Sequence, residues 1–134
     1  MNIIMEGSGI IVVKDVLVDR TRTPQQVLDA IGCKQQYVDK NALATMPKGE
    51  GDRVDVWFVS VAEARALFAR HRLVPDPYAQ AAVNEAFPTF CPNGTQWGDR
   101  FLAVGYWGGK RGVCCDRSND EWGVDYFFSG VPLP

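Results

Sequence analysis

Arg100-Phe101-Leu102-Ala103-Val104-Gly105-Tyr106-Trp107, Gly108-Gly109-Lys110-Arg111 and Gly112-Val113-Cys114-Cys115-Asp116-Arg117 form the stretch on which the fold turns. Two runs rich in aromatic and β-branched residues flank a short, glycine-led connection, which is the pattern of a hairpin. A third run of the same texture, residues 123–129, follows the polar turn Ser118-Asn119-Asp120-Glu121. The last third of the chain therefore predicts a three-stranded antiparallel meander. Side chains alternate along a strand, which sends Phe101 and Trp107 to one face, Tyr106 to the other, and separates Tyr126 and Phe128 from Phe127. Both faces of this sheet carry aromatic rings. By the same rule Cys114 and Cys115 point apart, one into a core and one to the second surface.

Toward the N-terminus, residues 53–59 alternate Val54, Val56 and Phe58 against Asp55, Trp57 and Val59, a strand with one face in the core and the other partly covered. Residues 41–46 read as its hairpin partner across Pro47-Lys48-Gly49-Glu50-Gly51-Asp52, a loop expected to be a mobile tip. The β-branched run over residues 10–18 reads as a first strand. Thr23-Pro24-Gln25-Gln26 supplies a capping threonine, a proline at the first helical position and a glutamine able to reach back, and Gly32 supplies the stop. Ser60-Val61-Ala62-Glu63 is a second capping box, followed by Val61, Ala64, Leu67, Phe68 and His71 at helical spacing, the strongest helical pattern in the chain. Asp76-Pro77 starts an alanine-rich helix over residues 78–87. These elements predict one α+β domain over residues 1–134, a mostly antiparallel sheet with about three short helices packed on one face.

The 134 residues are 46% hydrophobic and 22% charged, the make-up of a globular chain that needs no metal or disulfide to hold its core. A net charge of −2 disfavours nucleic acid as a partner. The apolar run after Gly7-Ser8-Gly9 is too short for a signal or a membrane span, so the expected address is cytoplasmic. Four cysteines in a chain of this size read as reduced thiols, and no Cys-x-x-Cys or His-x-x-x-His spacing prepares a metal site. Neither glycine-rich segment has the context of a phosphate loop. Asn93-Gly94 reads as a turn. No cofactor or metal is therefore expected.

Two kinds of chemistry remain. His71, the only histidine, could pair with a cysteine, or Asp116 and Asp125 could act as acid and base, in a small hydrolase. Asp125 more often belongs to a cross-strand pair with Arg100, Arg111 or Arg117. The aromatic load of the last third, beside Lys110, Arg111 and Arg117, instead reads as a docking face, with Trp107, Arg111, Trp122 and Tyr126 as the binding residues. Stacking of single-stranded bases is the third alternative.

Val18-Asp19-Arg20-Thr21-Arg22-Thr23-Pro24, Ala44-Thr45-Met46-Pro47-Lys48-Gly49-Glu50-Gly51, and Leu73-Val74-Pro75-Asp76-Pro77-Tyr78 with Asn84-Glu85-Ala86 resemble a family of short bacterial open reading frames of uncharacterised function, some on mobile elements. The resemblance covers residues 18–97. It implies a bacterial origin and no activity, cofactor or catalytic residue. The sequence thus predicts a cytoplasmic, non-enzymatic protein-binding module, with inhibition of a host system as one role that its size and mild acidity fit.

Overall fold

A computed structural model describes residues 2–5, 9–118 and 122–133. In chain order the strands are β1 (Asn2–Met5), β2 (Ile10–Leu17), β3 (Gln35–Val38), β4 (Arg53–Ser60), β5 (Leu73–Val74), β6 (Asn93–Trp97), β7 (Arg100–Trp107), β8 (Lys110–Arg117) and β9 (Phe127–Pro132). The helices are α1 (Pro24–Ile31), α2 (Lys40–Ala44), α3 (Ala64–His71) and α4 (Pro77–Ala86). The fold is α+β, with one sheet in the order β1-β2-β4-β9-β6-β7-β8-β3 and β5 paired to β9. All pairs are antiparallel except β6 with β9 and β3 with β8.

The C-terminal meander is present and is built by β6, β7 and β8. The run expected as its third member becomes β9, which inserts between β4 and β6. It begins at Phe127, because residues 123–126 form a turn closed by the Tyr126 amide on the Gly123 carbonyl at 3.1 Å. The connection to it through Asn119, Asp120 and Glu121 lies outside the described residues, as do Gly7 and Ser8. Between β7 and β8, Gly108 and Gly109 have φ of 62° and 77°, the left-handed pair that a two-residue hairpin turn needs.

Three short helices pack on one face. Val27, Leu28 and Ile31 of α1, Ala42 of α2, and Tyr78, Ala79 and Val83 of α4 close over Val13, Val16, Val56, Phe58, Leu102, Val104, Val113 and Cys115. Full burial of a side chain such as Phe58 is worth about 1.5–3 kcal/mol. The caps read in the sequence form at α1, where Thr23 accepts from the Gln26 amide, Gln26 returns to the Thr23 amide, and Gly32 is left-handed with φ of 83°. Asp76 caps α4.

Three local expectations are corrected. Residues 41–46 are not a strand, since Asp39 accepts from the Asn41 and Ala42 amides and starts α2, leaving β4 to pair with β2. The Ser60 box does not close, and residues Val61–Glu63 form a 3₁₀ turn before α3, none of whose side chains is fully buried. That fourth helix lies on the opposite face, where His71 meets Trp57 with ring centroids 4.6 Å apart. Asn93 does not sit in a turn. It opens β6, wholly buried, and its amide exchanges hydrogen bonds with Asn84 at 2.8 and 2.9 Å.

Candidate functional site

On the face away from α1, α2 and α4, β7 presents Phe101, Ala103, Gly105 and Trp107, and β8 presents Lys110, Gly112, Cys114 and Asp116. The edge strand β3 adds Tyr37, in register with Cys114. Residues 122–126 cross above this surface. Tyr37, Phe101, Trp107, Cys114, Trp122 and Tyr126 enclose a cavity of about 510 Å³.

Glycines in the strands make the arrangement possible. A methyl group at Gly94 would run into the six-membered ring of Trp122, and one at Gly105 into the Tyr126 hydroxyl. At Gly112 it would stand 2.9 Å from the Trp107 ring. The rings therefore lie directly on backbone. Trp122 is the keystone, edge-on to Phe101, Tyr126 and Phe128 at centroid distances of 5.3, 5.6 and 4.8 Å. Its indole N–H donates to Gln96 Oε1 at 3.2 Å. Tyr37 and Trp107 meet edge to face at 6.2 Å. Such geometry matches the positive edge of one ring to the negative face of the next.

Burial, with a smaller contribution from Asp116, pushes the Cys114 thiol up to about 11. Burial likewise raises the Tyr126 phenol, helped by Asp125 and Cys114. Both stay protonated at neutral pH, so the pocket wall offers contact area and dipoles rather than a nucleophile.

Of the four residues expected to bind, Trp107, Trp122 and Tyr126 meet at this cavity, and Arg111 does not. Trp107 is paired with Lys110 across the hairpin, so Arg111, one residue further, points to the opposite face. There its guanidinium donates to the Asn84 carbonyl at 3.1 Å and the Asn84 side chain at 3.2 Å, with Cys33 Sγ at 3.7 Å. Arg100 and Arg117 bind Asp99, and the cross-strand pair with Asp125 is absent. Instead Asp125 is exposed in the turn.

The histidine pairings are not assembled either. Trp57, under His71, and Cys114 are four strand spacings apart, roughly 19 Å. Among the described residues His71 hydrogen-bonds to no thiol or carboxylate, and no group of three metal-ligating side chains occurs. Comparison with protein families, curated proteins and solved structures returns no match.

Residues 18–24, 44–51 and 73–78 meet in space. Arg20 places its guanidinium on buried Asp76 at 2.6 and 2.9 Å, and on the carbonyls of Lys48, Glu50 and Gly51 at 2.8, 3.0 and 3.0 Å. All of its side-chain nitrogens are engaged. The loop expected as a hairpin tip is thus a strap held against the start of α4. Sequence reading missed this clasp, and it missed Tyr37 and Cys114 at the pocket. Glycines inside the strand patterns at 105 and 112 were the available signal of a close approach.

Proposed function

We propose that this chain is a non-catalytic protein-binding module that captures a partner side chain in the aromatic pocket. The observation that carries the reading is the convergence of Trp107, Trp122 and Tyr126, with Tyr37 and Phe101, on one open cavity. Tryptophan and tyrosine bury large area at small conformational cost and dominate interface energetics. The net charge of −2 favours a protein over a nucleic acid. No helix among the described residues is long and apolar enough to cross a membrane, which fits a role in the bacterial cytoplasm. Inhibition of a host system by a mobile element is the setting we favour.

The test is capture from bacterial lysate after nuclease treatment, comparing the native chain with a Tyr37→Ala/Trp107→Ala variant whose folding is checked by circular dichroism. Arg111→Ala, on the other face, serves as the second comparison. A nuclease-resistant protein retained by the native chain and by Arg111→Ala, and lost from the double variant, is the expected result. Equal capture by all three, or capture of nucleic acid alone, overturns the reading.

A further inference from the structure

The pocket has aromatic walls, and two carboxylates stand next to residues that line it. On β8, Asp116 lies two residues beyond Cys114 and on the same face. In the crossing turn, Asp125 leans over Gly123, itself part of the wall, so closely that a methyl there would lie 2.8 Å from the Asp125 carboxylate. Both carboxylates are exposed, and among the described residues neither has an ion-pair partner. Among the described residues Asp116 accepts only from the neighbouring Arg117 amide, at 2.7 Å. Their fields reach the cavity, since Asp116 disfavours ionisation of Cys114 and Asp125 that of Tyr126.

The arginines expected beside the rings are elsewhere. Arg111 is turned under α4, and Arg117 and Arg100 bind Asp99. Lys110, paired with Trp107, shares this face but stands at its hairpin end, six residues from Asp116 along β8, and lines a different cavity with Cys33 and Pro88. A face expected to be aromatic and basic carries two exposed carboxylates beside the pocket and one lysine at its hairpin end.

Resting on the protein-docking reading above, we propose that the partner inserts an arginine side chain. Its stem lies against Phe101, Trp107 and Trp122, and its guanidinium sits between Asp116 and Asp125. Ring faces attract a cation, and stripping water from it strengthens that attraction. The planar fork of an arginine offers five N–H donors, enough to serve two carboxylates, where a lysine presents one point charge. An acid, a phosphate or a nucleic-acid backbone would meet these carboxylates as like charge.

Selection from a random linear-peptide display library against the native chain, with counter-selection on the Tyr37→Ala/Trp107→Ala variant, tests this directly. Expected are pocket-dependent peptides sharing an arginine. Replacing that arginine by citrulline, which keeps shape and loses charge, should weaken binding about tenfold. Asp116→Asn/Asp125→Asn, isosteric and on exposed positions, should weaken the arginine peptide several-fold and leave the citrulline peptide unchanged. Pocket-dependent peptides anchored by apolar or acidic residues, indifferent to the asparagine variant, would overturn the arginine assignment and leave protein docking in place. The absence of any pocket-dependent peptide would overturn both.

Discussion

Cys114 and Cys115 are neighbours in sequence and live in different surroundings. Cys115 is fully buried under the helices, and Cys114 faces the aromatic cavity. Burial pushes Cys115 up to about 12 from an ordinary value of 9.0, with Cys114, Asp116 and Asp39 adding to the shift. A raised value in the fold means that the native state holds its proton where the unfolded chain has released it. Stability from this group is complete below about pH 9 and declines as pH rises, until the folded thiol also ionises near 12. Urea denaturation between pH 8 and pH 11 should therefore show a steeper alkaline loss for the native chain than for Cys115→Val (~1 kcal/mol or more of difference). Identical slopes in the two proteins would show that the thiol is not held protonated by the fold. The alternation that parts these two thiols was legible from the sequence, because period two follows from strand geometry alone. The rule does not reach Arg111 when the turn is taken as four residues, Gly108-Gly109-Lys110-Arg111, whereas the first two suffice and Arg111 belongs to β8.

Among elements, the strap over residues 46–52 and helix α4 depend on one guanidinium. Asp76 is 2% exposed and does two jobs, capping the Ala79 amide at 3.1 Å and pairing with Arg20. Removing the arginine leaves a buried carboxylate without its counter-charge and three loop carbonyls without their donor. Arg20→Ala should cost about 3–5 kcal/mol, and adding Asp76→Asn, which keeps a capping side chain but drops the charge, should return part of that loss. Thermal unfolding of the three proteins checks it, and a single variant as stable as the native chain would deny the clasp its role. Gly49 belongs to the same device, since a side chain there would stand 2.8 Å from both the Arg20 and Asp76 groups. Cap chemistry made α1 and α4 readable in advance, being confined to four or five consecutive residues. Helix α2 was not read, although Asp39 is an ordinary cap, because Ala42 and Leu43 fit a short strand as well as a short helix.

At the scale of the whole molecule the sheet has two halves. One is β1-β2-β4, the other β6-β7-β8-β3, and β9 is hydrogen-bonded to both. Local pattern located most of these strands and could not order them, since pairing partners far apart in sequence, such as Trp57 and Gly130, leave no mark on either segment alone. The buried amides of Gln80, Asn84 and Asn93, which seat α4 on β6, were invisible for the same reason. A chain ending at residue 126 keeps the helices and the strands of both halves but loses the joint and, with it, the partner of β5. It should lack a single cooperative unfolding transition, as judged by circular dichroism and tryptophan fluorescence together, whereas coincident transitions would show that the halves associate without β9.

The position of β9 also bears on how the molecule is made. Translation delivers the strands in sequence order, so β2, β4, β6, β7 and β8 all leave the ribosome before the strand that belongs between β4 and β6. Until then each half exposes an unpaired inner edge, the kind of surface on which other chains add themselves. The nascent protein therefore passes through a stage when its middle is open, and a chaperone or the partner itself has the greatest leverage there.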